Sequence, residues 1–155
     1  MKKFLTILLI IATLCCLVAC GDKSDGDDND GANAQEKTMF ITINGNKLEV
    51  ALEDNSATKT LVEKLKQGNI TYTANDYGNF EKVGSLGFDL PTSDRHITTQ
   101  VGDVILYSGN QIVLFYGSNS WNYTRLGKIV GHTTAELRSL LGAGNGSVEV
   151  TLSLQ

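Results

Sequence analysis

From residue 38 onward, alternating apolar and polar positions dominate the chain and predict strands. In "MFITINGNKLEVAL", Met39, Ile41 and Ile43 share one face, Asn44-Gly45 turns the chain, and Leu48, Val50 and Leu52 resume the alternation. An Asn-Gly pair between two alternating runs is the strongest short-range hairpin signal. A second hairpin is predicted in "DVILYSGNQIVLFYG", where Val104 to Tyr107 and Gln111 to Tyr116 flank Ser108-Gly109-Asn110. Its second arm is apolar at nearly every position, so both of its faces are expected to be covered. In "SVEVTLSL", Val148, Val150, Leu152 and Leu154 alternate with Ser147, Glu149, Thr151 and Ser153, which predicts a half-buried closing strand with one wet face.

Two stretches switch to helical spacing. "SATKTLVEKLKQG" places Leu61, Val62 and Leu65 on one stripe, with Ser56 as the expected N-cap and Gly68 as the stop. "TTAELRSLLGAG" carries a capping box in Thr133 and Glu136, a stripe of Leu137, Leu140 and Leu141, and Gly142 at its end. Many short strands with two short helices predict a mainly β fold, a closed antiparallel β-barrel whose ends are plugged by the helices.

The N-terminus follows a different pattern. Lys2 and Lys3 precede the apolar run "FLTILLIIATLCCLVA", which has the length of a signal-peptide core and is too short for a comfortable permanent span. It ends in Leu17-Val18-Ala19-Cys20, followed by Gly21. This resembles the lipobox of bacterial lipoproteins, which implies cleavage before Cys20 and lipidation of its thiol. Residues 1–19 are therefore expected to be a lipoprotein signal peptide, with acyl chains on Cys20 holding the protein outside the cytoplasm on the bacterial envelope. Cys15 and Cys16 would leave with the signal, and residues 21–155 contain no cysteine, so neither disulfides nor thiol chemistry are available.

Composition divides the remainder. "GDKSDGDDNDGANAQEK" holds six acidic residues against two lysines and no large apolar side chain, so residues 20–37 are expected to be a lipidated cysteine and a disordered acidic tether. Its aspartates lack the closing Glu and flanking helices of an EF-hand loop. An acidic run after a lipidated cysteine also looks like the surface-export signals of some Gram-negative lipoproteins, which would display the protein outward. Residues 38–155 carry nine basic and eleven acidic side chains, a net charge of −2 with no basic stripe. Nucleic acid is thereby disfavoured as a partner. At about 118 residues the segment is long enough for one core, and a monomer is favoured.

Two segments carry a family resemblance. "DYGNFEKVGSLGFDLP", Asp76 to Pro91, and "GDVILYSGNQIVLFYGSNSWNYTRLGKI", Gly102 to Ile129, resemble the bacterial cyclophilin-like domain family, with the hairpin, helix and closing strand in the family's order. The resemblance covers residues 38–155 and implies a compact barrel like that of cyclophilins. Prolyl isomerisation by true cyclophilins needs an apolar pocket and an arginine that polarises the prolyl amide. The Phe-His-Arg and Phe-Met-x-Gln segments that supply them there have no match here. Arg95, beside His96 in "SDRHITT", and Arg125 are left as weak catalytic candidates.

Other chemistries have less support. His96 and His132, the two histidines, have no acidic residue at metal-ligand spacing, so no metal and no cofactor is expected. Gly117-Ser118-Asn119-Ser120 lacks the closing glycine of a nucleophile elbow. "GAGNG", Gly142 to Gly146, follows a helix instead of opening one, which makes it a stop and turn and not a phosphate loop. The ligand-binding candidates are Tyr77, Phe80 and Lys82 in the first motif and Tyr116, Asn119, Trp121 and Arg125 in the second, which together offer apolar walls and a few polar groups. Glu81 adds an anion beside them. The structural alternatives are that Trp121 and Phe115 fill the barrel, that Arg125 pairs with Glu81 or Asp76, and that Asn119 serves a turn. The expectation is a membrane-anchored, non-catalytic binding module for a small ligand or an extended peptide. A prolyl isomerase acting on envelope or secreted proteins and a structural component of the envelope are the alternatives.

Overall fold

A computed structural model describes residues 36–155. The expected signal peptide, Cys20 and most of the expected tether lie outside the described residues.

Both hairpins form as the alternation predicts. Strands β1 (Thr38–Ile43) and β2 (Asn46–Leu52) pair antiparallel in the register Ile43↔Asn46, so the loop is Asn44-Gly45 alone. Both loop residues have positive φ, 49° and 74°, the backbone that lets a two-residue turn match the twist of its strands. The chain continues through α1 (Ser56–Leu65), β3 (Ile70–Tyr77), β4 (Glu81–Ser85), β5 (Arg95–Thr98), β6 (Asp103–Tyr107), β7 (Gln111–Phe115), β8 (Ser120–Ile129), α2 (Thr134–Leu140) and β9 (Val148–Ser153).

Eight of the nine strands run in the order β2-β1-β9-β3-β4-β7-β6-β8, and β8 pairs back with β2 through Val50↔Ile129 to Leu52↔Gly127. The sheet is therefore a closed antiparallel barrel, as the sequence predicts, and closure removes every edge among these strands. β5 stands outside it, pairing with the first half of β8. Opposite Val104 and Ile105, β8 carries a bulge at Leu126.

The apolar interior is filled from seven of the eight barrel strands, all but β4, with Met39, Ile41, Leu48, Val50, Leu106, Ile112, Leu114, Val150 and Leu152 among its fully buried residues. The helices close opposite ends, as the strand directions require: α1 joins the end of β2 to the start of β3, and α2 joins the end of β8 to the start of β9. Leu61 and Leu65 of α1, and Leu137 with Leu141 at the end of α2, belong to the same core.

One cap differs from expectation. The N-cap of α1 is Asn55, not Ser56: its side chain accepts the Thr58 N–H at 3.0 Å and donates to the Arg125 carbonyl at 2.7 Å. A serine could satisfy the helix end but could not also reach β8. The second cap, Thr133 with Glu136, is the capping box the sequence predicts.

Candidate functional site

Strand alternation sorts the candidate residues onto two sides of the barrel wall. Along β4, Lys82 and Gly84 face inward, while Glu81 and Val83 face outward, because successive side chains leave a strand on opposite faces. Along β7, Ile112 and Leu114 join the interior core, and Val113 and Phe115 join a second apolar cluster with Ile105 and Tyr123. That second cluster lies on the outer face, partly covered by Phe80, Val83 and Ile97. Coverage on both faces is what the unbroken apolar arm of the hairpin predicts.

Phe80 holds this outer layer to the turn between β3 and β4. Its ring stacks on Phe115 at 6.2 Å, and its carbonyl accepts the N–H groups of Tyr116 and Gly117 at 2.9 and 2.8 Å. A Cβ at Gly117 would stand 2.6 Å from the Phe80 Cβ, so only glycine admits this approach. The two sequence motifs are thus joined physically at Phe80 and Gly117.

Above the outer cluster lies a cleft of about 420 Å³. Tyr77 of β3, Glu81 and Val83 of β4, Tyr107 of β6, Gln111 and Val113 of β7, Asn119 of the following loop, and Trp121 and Tyr123 of β8 line it. The Tyr107 and Tyr123 rings meet edge to face at 5.9 Å, and Tyr123 meets Phe115 at 5.7 Å, giving an interlocked aromatic wall. Asn119 is fixed by Thr99, which donates its N–H and hydroxyl to the Asn119 carbonyl and accepts the Asn119 N–H at 2.9 Å. Its amide then donates to the Tyr123 hydroxyl at 2.9 Å. Burial pushes the Tyr123 phenol up from its ordinary value; the hydrogen bond from Asn119 opposes this, and the Glu81 charge adds to it. Glu81 is 6% exposed, its Oε2 has no hydrogen-bond partner, and burial raises its carboxyl to about 7.

The remaining candidates lie elsewhere. Lys82 and Tyr116 do not line the cleft, because Lys82 of β4 and Tyr116, the residue after β7, both turn inward at the α2 end of the barrel. Lys82 is fully buried, pairs with Asp76 at 2.7 Å and donates to the Gly146 carbonyl at 2.6 Å. Asp76 also accepts from the Tyr116 hydroxyl at 2.9 Å and from the Gly146 N–H at 2.6 Å, and Arg138 donates to the Tyr116 carbonyl at 2.8 Å. The glycine turn after α2 therefore offers the carbonyl of Gly146 to the lysine and its N–H to the carboxylate of a mostly buried ion pair.

Arg125 meets neither Glu81 nor Asp76. It pairs with the fully buried Asp103 at 3.2 Å, as Lys128 does at 3.4 Å. With Arg95, it borders a separate groove of about 290 Å³ formed with Glu53, Asp54, Asn55 and Ser93. Ile97 and Tyr123 also line that groove, and Tyr123 is the one residue it shares with the aromatic cleft, so the two arginine candidates lie together beside the cleft and do not line it. Arg95 and His96 are exposed in β5, where they pair with Tyr123 and Asn122. Trp121 is 55% exposed, so it does not fill the barrel, whereas Phe115 is buried in the outer cluster. Among the described residues no group of three or more His, Cys, Asp or Glu could hold a metal ion.

Residues 41–153 match the Cyclophilin-like family. The chain belongs to that family. The cyclophilin-like domain is also similar in fold to a hypothetical protein, AF2241, of Archaeoglobus fulgidus, at 20% identity and a TM-score of 0.60 over 81% of this chain and 99% of that one. A second similar structure is that of McbB in complex with tryptophan, at 16% identity and a TM-score of 0.56. That match covers 76% of this chain and 44% of McbB. No curated protein matches the sequence. Tyr107 and Gln111 line the cleft without being among the site residues read from the sequence for this cyclophilin-like domain, and Glu81, read there only as an anion beside the candidates, lies in the cleft itself. The outward phase of β4 would have marked Glu81 once Lys82 was placed inside.

Proposed function

We propose that this cyclophilin-like protein is a non-catalytic binding module, held on the bacterial envelope by lipid on Cys20, that captures a small ligand or an extended peptide in the aromatic cleft. One observation carries the reading. Of the four large apolar side chains left exposed among the described residues, Tyr77, Tyr107 and Trp121 converge on this one cleft. Large apolar surface gathered around a concavity with a few fixed amides is the composition of a ligand site. Prolyl isomerisation is the less supported reading, because Arg125 borders the neighbouring groove and is bound to the buried Asp103, and none of the residues lining the cleft is an arginine.

A thermal-shift screen of amino acids, including tryptophan, and of short peptides tests the binding reading, since a ligand of the folded state raises the unfolding midpoint by mass action. At least one compound is expected to raise it, and Trp121→Ala is expected to weaken that compound about tenfold, or about 1.4 kcal/mol. A screen in which nothing shifts would remove the reading, and acceleration of cis/trans exchange in a prolyl peptide would replace it with the isomerase.

The anchor is supported by the lipobox Leu17-Val18-Ala19-Cys20 behind an apolar run with two lysines before it. Cys20→Ala is expected to abolish fatty-acid labelling and move the protein to the soluble fraction. Membrane retention by that variant would count against lipidation.

A further inference from the structure

Among the described residues, no basic side chain forms an ion pair with the Glu81 carboxyl group, and its Oε2 is without a hydrogen-bond partner. Of the cations on the strands around it, Lys82 is committed to Asp76 on the inner face of the wall and Arg125 and Lys128 to Asp103, while Arg95 borders the neighbouring groove and does not line the cleft. The other eight residues lining the cleft are tyrosine, tryptophan, valine or amide side chains, so Glu81 is its only acid or base of ordinary strength. A buried, unpartnered carboxylate is costly, and either a proton or a cation relieves it. Burial raises Glu81 to about 7, close enough to neutrality for an arriving cation to displace the proton.

The surroundings discriminate among ligands. Ring faces attract positive charge through their quadrupoles, most strongly for tryptophan, and attract it more when water is excluded. An anion would meet Glu81 with like charge. A neutral apolar ligand would remove the remaining water from the carboxyl without pairing it. We infer that the cleft recognises an organic ammonium ion, its charge placed against Glu81 and its alkyl body against Tyr107, Trp121 and Tyr123. The inference rests on the proposed reading of the cleft as a ligand site and names the ligand's chemical class. A free quaternary or primary amine and the lysine side chain of an extended peptide share this chemistry.

Calorimetric titration of the full chain at about pH 8, where Glu81 is mostly ionised, tests it with three probes. These are choline, its uncharged isostere 3,3-dimethylbutan-1-ol, and a Gly-Lys-Gly peptide blocked at both ends. Choline or the lysine peptide is expected to bind at least tenfold more tightly than the isostere, and the tighter of the two identifies the source. Glu81→Gln is expected to cost the cation at least tenfold while leaving the isostere unchanged. Trp121→Leu, at an exposed position, is expected to weaken the cation more than the isostere. If the isostere binds as well as the cations, or Glu81→Gln leaves the cations unaffected, the ammonium assignment is overturned and the cleft remains a binding site. If no probe binds and the wider screen is also silent, both readings fall together.

Discussion

Lys82→Ala is expected to destabilise the domain by about 3–5 kcal/mol, because it leaves a mostly buried carboxylate without its counter-ion. The Lys82 side chain is fully buried and its partner Asp76 is 18% exposed. The substitution therefore removes a charge, a hydrogen bond to Gly146 and the volume of a four-carbon stem together. Urea unfolding at neutral pH measures the loss. Lys82→Met restores the volume but not the charge, so it is expected to recover only the packing share. Combining it with Asp76→Asn is expected to recover most of the remainder, since an isolated buried charge costs more than a missing pair. A loss below about 1 kcal/mol in Lys82→Ala would mean that the pair contributes no more than a surface salt bridge.

The same pair sets an acid limit. Burial alone would raise the Asp76 carboxyl, but hydrogen bonds from Lys82, Gly146 and Tyr116 outweigh it and hold the group below the usual carboxylate range. A carboxylate lowered in the folded state contributes stability above its unfolded value of 3.8 and loses it as pH falls through the folded value. Acid unfolding of the wild type is therefore expected to steepen below about pH 4, and Lys82→Ala to flatten that dependence.

Glu81→Gln is expected to act in the opposite direction and in a different pH window. The Glu81 carboxyl is raised from 4.5 to about 7 in the folded protein, with burial as the cause. The folded state thus holds the proton more tightly than the unfolded chain, and stability present below pH 4.5 is lost as pH rises through 7. That difference converts to a loss of at most about 3 kcal/mol above neutrality. Glutamine keeps the shape and does not ionise, so the variant is expected to match the wild type near pH 4 and exceed it near pH 9 by up to that amount. Equal stability at both pH values would show that the carboxyl is solvated. A residue that costs stability and whose removal costs ligand affinity is the signature of a functional group, not a structural one.

How much of this was legible depends on how local the physics is. The Asn44-Gly45 turn, the alternation of Met39, Ile41 and Ile43, the Thr133–Glu136 box and the double-sided burial of Ile112 to Tyr116 all follow from signals within a few residues, and the structure shows each of them. The threonine-rich β3 and the exposed β5 carry weak alternation, and their pairing partners, rather than their own residues, make them strands. Within the candidate site, Trp121 and Asn119 share a cleft with Tyr77, as their composition indicated. Lys82 and Tyr116 looked equally suited to it.

The sequence by itself determined the barrel, the hairpin registers, both helices and the family, because periodicity, turn chemistry and capping are written in neighbouring residues. Tertiary structure alone decided which face of β4 looks inward, that Arg125 belongs to Asp103 and Lys82 to Asp76, and that Glu81 lies unpaired beneath three tyrosines and a tryptophan. A one-residue change of phase exchanges every inward side chain for an outward one, and only closure of the barrel fixes that phase.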